Sequence, residues 1–389
     1  MKKLLLQQLQ DDQVPGALVY VNHPKLGRWS AALGSSDLNG APLDIASYMR
    51  IGSVTKTLTA TAVLQLVDKG LVGLDDPIER YLPGVVPNGG AITVRQLFNN
   101  TEDLGLNEAL DAKPFQAFSP QQSIDIAFEH EPYFEPGTGW HYSNTNYIVL
   151  GLLLEQMTGM SVSDIFKQWI FAPLKMKRSV MPVGESAEMP NPHPRGYLFG
   201  TNVDSLKVYE ALLKGDEKGS AVRVPQGVPP QDATDWNPYY TWTSGNAIST
   251  LSDIATWAKA LATGALLSPK LHKQQLEPTR LPDGGVISYG LGITEVLPAC
   301  ESRKEVIPRF IGHNGAVPGF QSLVGYSPET GGTIVVLTNS EIAPNTPLLK
   351  ALPADNLAKI IQQHVFLRRV NDDSRKPDHR CVTPFIEAP

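Results

Sequence analysis

The chain has 389 residues, 42% of them hydrophobic and 19% charged, which is enough apolar content for a large core or two lobes and argues against disorder. Its net charge of -6, with no basic run interleaved with aromatics, argues against a nucleic-acid surface. Cys300 and Cys381 are too few for a disulfide framework or zinc cluster and can be bridged or free; His130-Glu131 lacks the second His of a helical zinc site, and the Gly-rich stretches lack the phosphate-loop pattern, so no metal or cofactor is implied.

Met1-Lys2-Lys3-Leu4-Leu5-Leu6 has the basic start of a signal peptide, but the polar run Gln7 to Asp12 cuts it short, and it reads as the first turns of an amphipathic helix. No apolar run reaches transmembrane length. On this reading the chain is cytoplasmic if complete and exported if it is a trimmed mature form. Strands are expected at Ala17 to Val21, Trp29 to Leu33 and Ser47 to Ile51. There the pattern turns helical, with Leu58, Ala62, Leu66 and Val67 on one side, and Ser53-Val54-Thr55-Lys56 stands at the junction.

From about Asp75 to Trp242 the chain reads as helices and long Pro/Gly loops, with a turn at Asp76-Pro77 and an N-cap at Thr93. Within it, Tyr142-Ser143-Asn144 ends a turn-rich loop leading into the apolar helix at Ile148 to Leu154. Asn202 to Tyr240 reads as a long surface excursion bordering the cleft or as a disordered loop, and the small residues at 244 to 250 suit a close-packed bend. His313-Asn314-Gly315 lies near the strand pair Phe320 to Tyr326 and Thr333 to Thr338. A helix at Asp355 to Phe366 and a polar tail at Val370 to Pro389 complete the pattern.

Each motif has a chemical reading. A serine hydroxyl is a weak nucleophile near neutral pH. A partly desolvated lysine one helical turn away can hold or accept its proton, and Ser-Lys is an alternative to Ser-His-Asp. A loop tyrosine beside a cation can act as general acid or base, and the two ends of the Asn144 amide can orient a substrate amide. A strand glycine such as Gly315 admits a substrate backbone, and neighbouring N–H groups can form an oxyanion hole. The architectural alternatives are an N-cap serine with a surface lysine, a packing tyrosine and a hairpin histidine.

Taken in order, Ser53-x-x-Lys56, Tyr142-x-Asn144 and His313-x-Gly315 resemble the serine β-lactamase and penicillin-binding protein family, whose class A set of S-x-x-K, S-D-N and K-T-G is a known signature. The Tyr and His forms resemble its DD-carboxypeptidase, D-aminopeptidase and esterase branch, sometimes grouped with class C. The resemblance runs from about Val14-Pro15-Gly16 to the helix ending near Phe366. It implies an α+β fold, a mainly antiparallel sheet flanked by helices with an inserted helical lobe. The corresponding division is 1–75 and 243–369 for the α/β lobe, 76–242 for the helical lobe and 370–389 for the tail.

The resemblance implies a serine hydrolase working through a covalent acyl-enzyme on a small-molecule or peptide substrate. Ser53 is the expected nucleophile, Lys56 and Tyr142 move protons, and His313 adds a polar or cationic group. Asn144, Asn314, Gly315 and Ala316 are expected at the substrate, with the N–H groups of Ser53 and Ala316 forming the oxyanion hole. DD-carboxypeptidases of this type usually carry hydroxyl residues where Asn314 and Ala316 stand, which weakens the grip on a terminal carboxylate. Asn100-Thr101-Glu102-Asp103-Leu104-Gly105 also departs from the usual His-Thr-Ser-Gly-Leu. The expected activity is DD-carboxypeptidase-like. The alternatives are an esterase, a D-amino acid amidase or aminopeptidase, an acyltransferase, a weak β-lactamase or a penicillin-binding sensor module. Arg303 and Arg309 are candidate carboxylate partners or surface charges. Trp140, Tyr147, Trp242 and Phe320 are candidates for an acyl pocket or for core. Oligomeric state is left open.

Overall fold

Residues 1–98, 111–184, 186–203, 229–301, 305–343 and 352–369 are described by the computed structural model. Near the amino end, β1 (Gly16–His23) and β2 (Gly27–Gly34) pair as an antiparallel hairpin. β3 (Tyr48–Arg50) pairs instead with β4 (Ile248–Thr250), so the third expected strand joins a small two-stranded ladder outside the main sheet. Near the other end lie β5 (Thr294–Leu297), β6 (Phe310–Val317), β7 (Phe320–Ser327) and β8 (Gly332–Thr338). The main sheet has the order β2-β1-β8-β7-β6-β5, and every neighbouring pair in it is antiparallel. No described residue between 35 and 293 adds a strand to it.

This sheet is buried on both faces, which explains why β8 reads as a continuous apolar run rather than an alternating one. Ile334 and Val336 point into one cluster while Val335 and Leu337 point into another. The first cluster is closed by α1 (Lys2–Asp11), through Leu5 and Leu9, and by the terminal helix. The second contains α2 (Thr55–Asp68), α3 (Thr145–Thr158) and α4 (Leu251–Thr263). The terminal helix α5 (Pro353–Ile361) opens with proline in its first turn and buries Ala354, Leu357, Ala358 and Ile361, the one-sided spacing of an amphipathic helix. Fully burying each of its larger apolar side chains stabilises the fold by about 1.5 to 3 kcal/mol.

The helix read at Asp355 to Phe366 begins two residues earlier, and its last turn, Gln362–Phe366, widens to π geometry. Among the described residues no single helix is long and apolar enough to cross a membrane. Cys300 is disulfide-bonded. Cys381, Arg303, the segment Asn100 to Gly105, most of the 202–240 excursion and the 370–389 tail lie outside the described residues.

Candidate active site

Ser53 occupies a single 3-10 turn, Gly52–Val54, that links β3 to α2. One turn later Lys56 is fully buried, and its Nζ donates to Ser53 Oγ at 3.1 Å. The same ammonium donates to Asn144 Oδ1 at 2.6 Å and to the Ser244 carbonyl at 3.1 Å. Three oxygens from distant parts of the chain therefore lie within hydrogen-bond reach of one lysine nitrogen. Asn144 sits at the amino end of α3, so the loop before that helix brings the second motif onto the first. The Lys56 Nζ is also 4.7 Å from the Tyr142 ring centroid, which places a cation against the face of the candidate proton carrier.

Sequence reasoning flagged residues 244 to 250 only as a bend, and missed that the Ser244 carbonyl is a lysine acceptor. The turn that aims it is strained: Trp242 has φ 34° and ψ -115°, a region that side-chain-bearing residues rarely adopt. Flanking bonds hold it there, with Thr59 Oγ1 donating to the Thr243 carbonyl at 2.6 Å and Thr243 Oγ1 donating to the Tyr147 carbonyl at 2.7 Å. Trp242 thus belongs to the buried scaffold of the turn.

The third motif lies inside β6, not in a turn; the hairpin turn is Pro318-Gly319. A Cβ on Gly315 would sit 2.2 Å from the Ile51 carbonyl oxygen and 2.7 Å from the Ser53 nitrogen. One on Gly52, whose φ is +51°, would sit 2.5 Å from the Ala316 nitrogen. Only glycine at both places lets strand and serine turn come this close. Ser322 Oγ on β7 ties the approach by donating to the Ile51 carbonyl at 2.8 Å. The backbone nitrogens of Ser53 and Ala316 consequently lie beside one another, an arrangement suited to an oxyanion.

His313 is buried and neutral. Burial pulls its pKa down to about 3, against the opposing pull of its bond to the Asn314 carbonyl, and Lys56 lowers it further. The ring bonds that carbonyl through Nδ1 and Tyr289 through Nε2, at 2.9 Å for the latter. A carbonyl only accepts, so Nδ1 carries the proton and Nε2 accepts from the Tyr289 hydroxyl. That hydroxyl lies 3.4 Å from the Tyr147 hydroxyl, and burial raises the pKa of both phenols. The polar-or-cationic reading of His313 is thereby narrowed to a neutral imidazole. Tyr289, unmarked by any motif, is the missed residue: its ring packs 5.8 Å from Trp140 and 6.2 Å from Tyr142, and no periodic run or motif surrounds it.

The neutral ring has a consequence for acid stability. Its folded pKa is depressed below the ordinary 6.5, so below about that pH the unfolded chain takes up a proton that the folded chain refuses. The contribution of this site is full above pH 6.5 and shrinks as pH falls toward about 3. His313→Gln is expected to flatten the fall of Tm between those limits. Equal acid slopes for both proteins would show that the ring charges freely in the fold.

Asn314 is placed differently from expectation. Strand alternation sends its side chain to the face covered by α5, away from the serine turn, where it favours the ionised Asp355 carboxyl. Arg309 is about half exposed and pairs with Glu329 at 3.0 Å, with Glu295 at 4.0 Å. Phe320 is buried in the core, where its ring lies against Gly196.

Comparison with known proteins places the chain in a class. The model of the Beta-lactamase family matches residues 1–355, so the chain belongs to that family of serine hydrolases, and its fold is the β-lactamase/DD-peptidase-like one. A penicillin-binding protein of Bacillus subtilis (strain 168) is 27% identical over 310 residues, covering 77% of this chain and 62% of that protein. A D-aminopeptidase of Brucella anthropi is 27% identical over 320 residues, 80% of this chain and 54% of that one. The chain thus spans little more than half the length of these relatives. A crystal structure of a D-stereospecific amidohydrolase from Streptomyces sp. superposes with a TM-score of 0.71 at 28% identity, covering 90% of this chain and 96% of that one.

Proposed function

We propose that this chain hydrolyses small amides or esters through an acyl-enzyme on Ser53, with D-configured amides and uncharged esters preferred to peptides ending in a free carboxylate. The observation that carries the reading is the contact of Lys56 Nζ with Ser53 Oγ, made inside a site that also holds Tyr142 and Asn144. In acylation the Ser53 oxygen attacks the carbonyl carbon while its proton passes to the basic member of the Lys56 and Tyr142 pair, the neutral amine or the phenolate. The carbonyl oxygen takes up negative charge toward the N–H groups of Ser53 and Ala316. The same pair returns the proton to the leaving amine or alcohol, and water then releases the acyl group. Asn144, whose Oδ1 is taken by Lys56, has its Nδ2 to donate to the acyl side.

The substrate preference rests on the third motif. Asn314 points to the face covered by α5, Ala316 offers no side-chain hydrogen bond, and His313 is neutral, so a substrate carboxylate would find little charge to meet it. Each lost charge-assisted contact is worth about 1.5 to 3 kcal/mol. The D-aminopeptidase and D-stereospecific amidohydrolase among the similar proteins support the same reading. DD-carboxypeptidase activity is the second reading, supported by the penicillin-binding relative.

A panel of p-nitrophenyl butyrate, D-amino acid amides, D-Ala-D-Ala peptides and nitrocefin, run on wild type and Ser53→Ala, tests both. Esters and D-amides should be turned over, the carboxylate-ended peptides more slowly, and nitrocefin slowly or not at all. Rapid nitrocefin turnover, or a marked preference for the free carboxylate, would reverse the ranking. Gly315→Ala tests the close approach of β6: its Cβ would strike backbone atoms on two sides. It is expected to cost about 2 to 4 kcal/mol in denaturant melts and to lower ester turnover about 100-fold. Wild-type values for both would mean that the two segments part easily.

A further inference from the structure

We propose that Asp355, on the terminal helix and on the far side of the sheet from Ser53, is a positioning residue that holds the oxyanion strand β6 through Asn314 and Gln321. The inference rests on the acyl-enzyme reading above and extends it to a residue that does not touch the substrate.

The alternation of β6 and β7 sets the two sides. Gly315 and its cross-strand partner Ser322 face the serine turn. Asn314 and Ala316 therefore point to the opposite face, as do their partners Leu323 and Gln321. That face is largely apolar, with Leu323 packed among Ala354, Leu357 and Ile361 of α5. Into this layer are set Gln321, 1% exposed, and Asp355, 9% exposed.

Gln321 Nε2 donates to Asp355 Oδ2 at 2.9 Å, and Gln321 Oε1 accepts from the Ala354 N–H at 2.6 Å. One amide thus grips the first turn of α5 with both of its ends. The Asn314 side chain lies on this same face and favours the ionised form of the same carboxyl. Burial raises the Asp355 pKa to about 6, against the opposing pull of Lys359 and the two amides.

A buried carboxyl and amide in an apolar layer add little net stability even when fully paired, since well-packed apolar side chains of similar volume would serve as well. What these groups supply is position. Gln321 is the residue directly across from Ala316, and Asn314 lies two residues before it on the same strand. Asp355 therefore braces the strand on two sides of the peptide whose N–H faces the reacting oxygen. A displacement of a few tenths of an ångström there would lengthen the oxyanion bond while leaving substrate binding largely unchanged.

The test compares a matched ester and thionoester on the full chain, because an oxyanion hole built from N–H donors stabilises developing charge on oxygen better than on sulfur. Asp355→Leu is expected to lower kcat for the ester about tenfold with KM unchanged, and to lower the ester-to-thionoester rate ratio by a similar factor. Asp355→Asn, which keeps the shape and an acceptor for Gln321, should lower the ratio only about threefold. The structural control is Asn356→Ala, which cuts the 3.0 Å bond from Asn356 to Asp12 one residue along the same helix. It should lower Tm and leave the ratio unmoved.

If Asp355→Leu does not fold, Gln321→Met takes its place under the same criteria. An unchanged ratio, or an equal change in Asn356→Ala, overturns the proposal. Failure of a fluorophosphonate to label wild-type Ser53 would overturn the acyl-enzyme reading and this inference with it. Labelling with an unmoved ratio overturns this inference alone.

Discussion

Ser53→Ala is expected to lower kcat for p-nitrophenyl butyrate by about ten-thousand-fold to a million-fold, with KM nearly unchanged and Tm within a few degrees of wild type. The reasoning is local. The side chain is partly exposed and accepts a hydrogen bond from Lys56, so truncation removes the nucleophile without opening a core cavity. Residual turnover above water would come from the paired N–H groups and from binding, which the variant keeps. Labelling by a fluorophosphonate should vanish in parallel. A variant that retained a tenth of wild-type activity, or still took the label at the same peptide, would place the nucleophile elsewhere.

Lys56→Met is expected to lower kcat by about a thousand-fold to a hundred-thousand-fold, with acylation rather than deacylation slowed most in single-turnover measurements. Methionine matches the length of the buried stem but cannot take the Ser53 proton, and the Asn144 and Ser244 oxygens each lose a donor. Each orphaned acceptor costs about 1 to 3 kcal/mol, so the loop carrying Tyr142 and Asn144 should also loosen. Ester hydrolysis at more than a tenth of the wild-type rate would show that Tyr142 activates Ser53 unaided, and would remove Lys56 from the proton path.

Much of this site was legible because its chemistry is carried by short runs. Ser53 and Lys56 are one helical turn apart, and a helical pattern alone puts them on one face. Tyr142 and Asn144 stand where a turn-rich loop meets an apolar helix. The terminal strands were readable from β-branched runs bounded by turn residues. β6 was not, because Gly312, His313, Asn314 and Gly315 interrupt any alternation, and the motif was placed only near the strand pair that follows it. Tyr289 and the Ser244 carbonyl were invisible for a different reason. The first is a single aromatic at an isolated bridge to Thr294, outside any periodic run, and the second is a backbone atom whose direction depends on the strained dihedrals at Trp242.

The amino-acid sequence by itself determined which groups could act: a hydroxyl beside an amine, a phenol, an amide and an imidazole, each in a setting that local periodicity describes. Tertiary structure decided what state and orientation they hold. His313 is neutral because burial among Tyr289, Lys56 and the sheet disfavours its charge. Asn314 turns to Asp355 because strand alternation sends it to the helix-covered face. Ala316 meets Ser53 because two glycines, more than 260 residues apart in sequence, leave no Cβ between them. Desolvation, side-chain direction and close approach depend on neighbours distant in the chain, and no short window of sequence contains them.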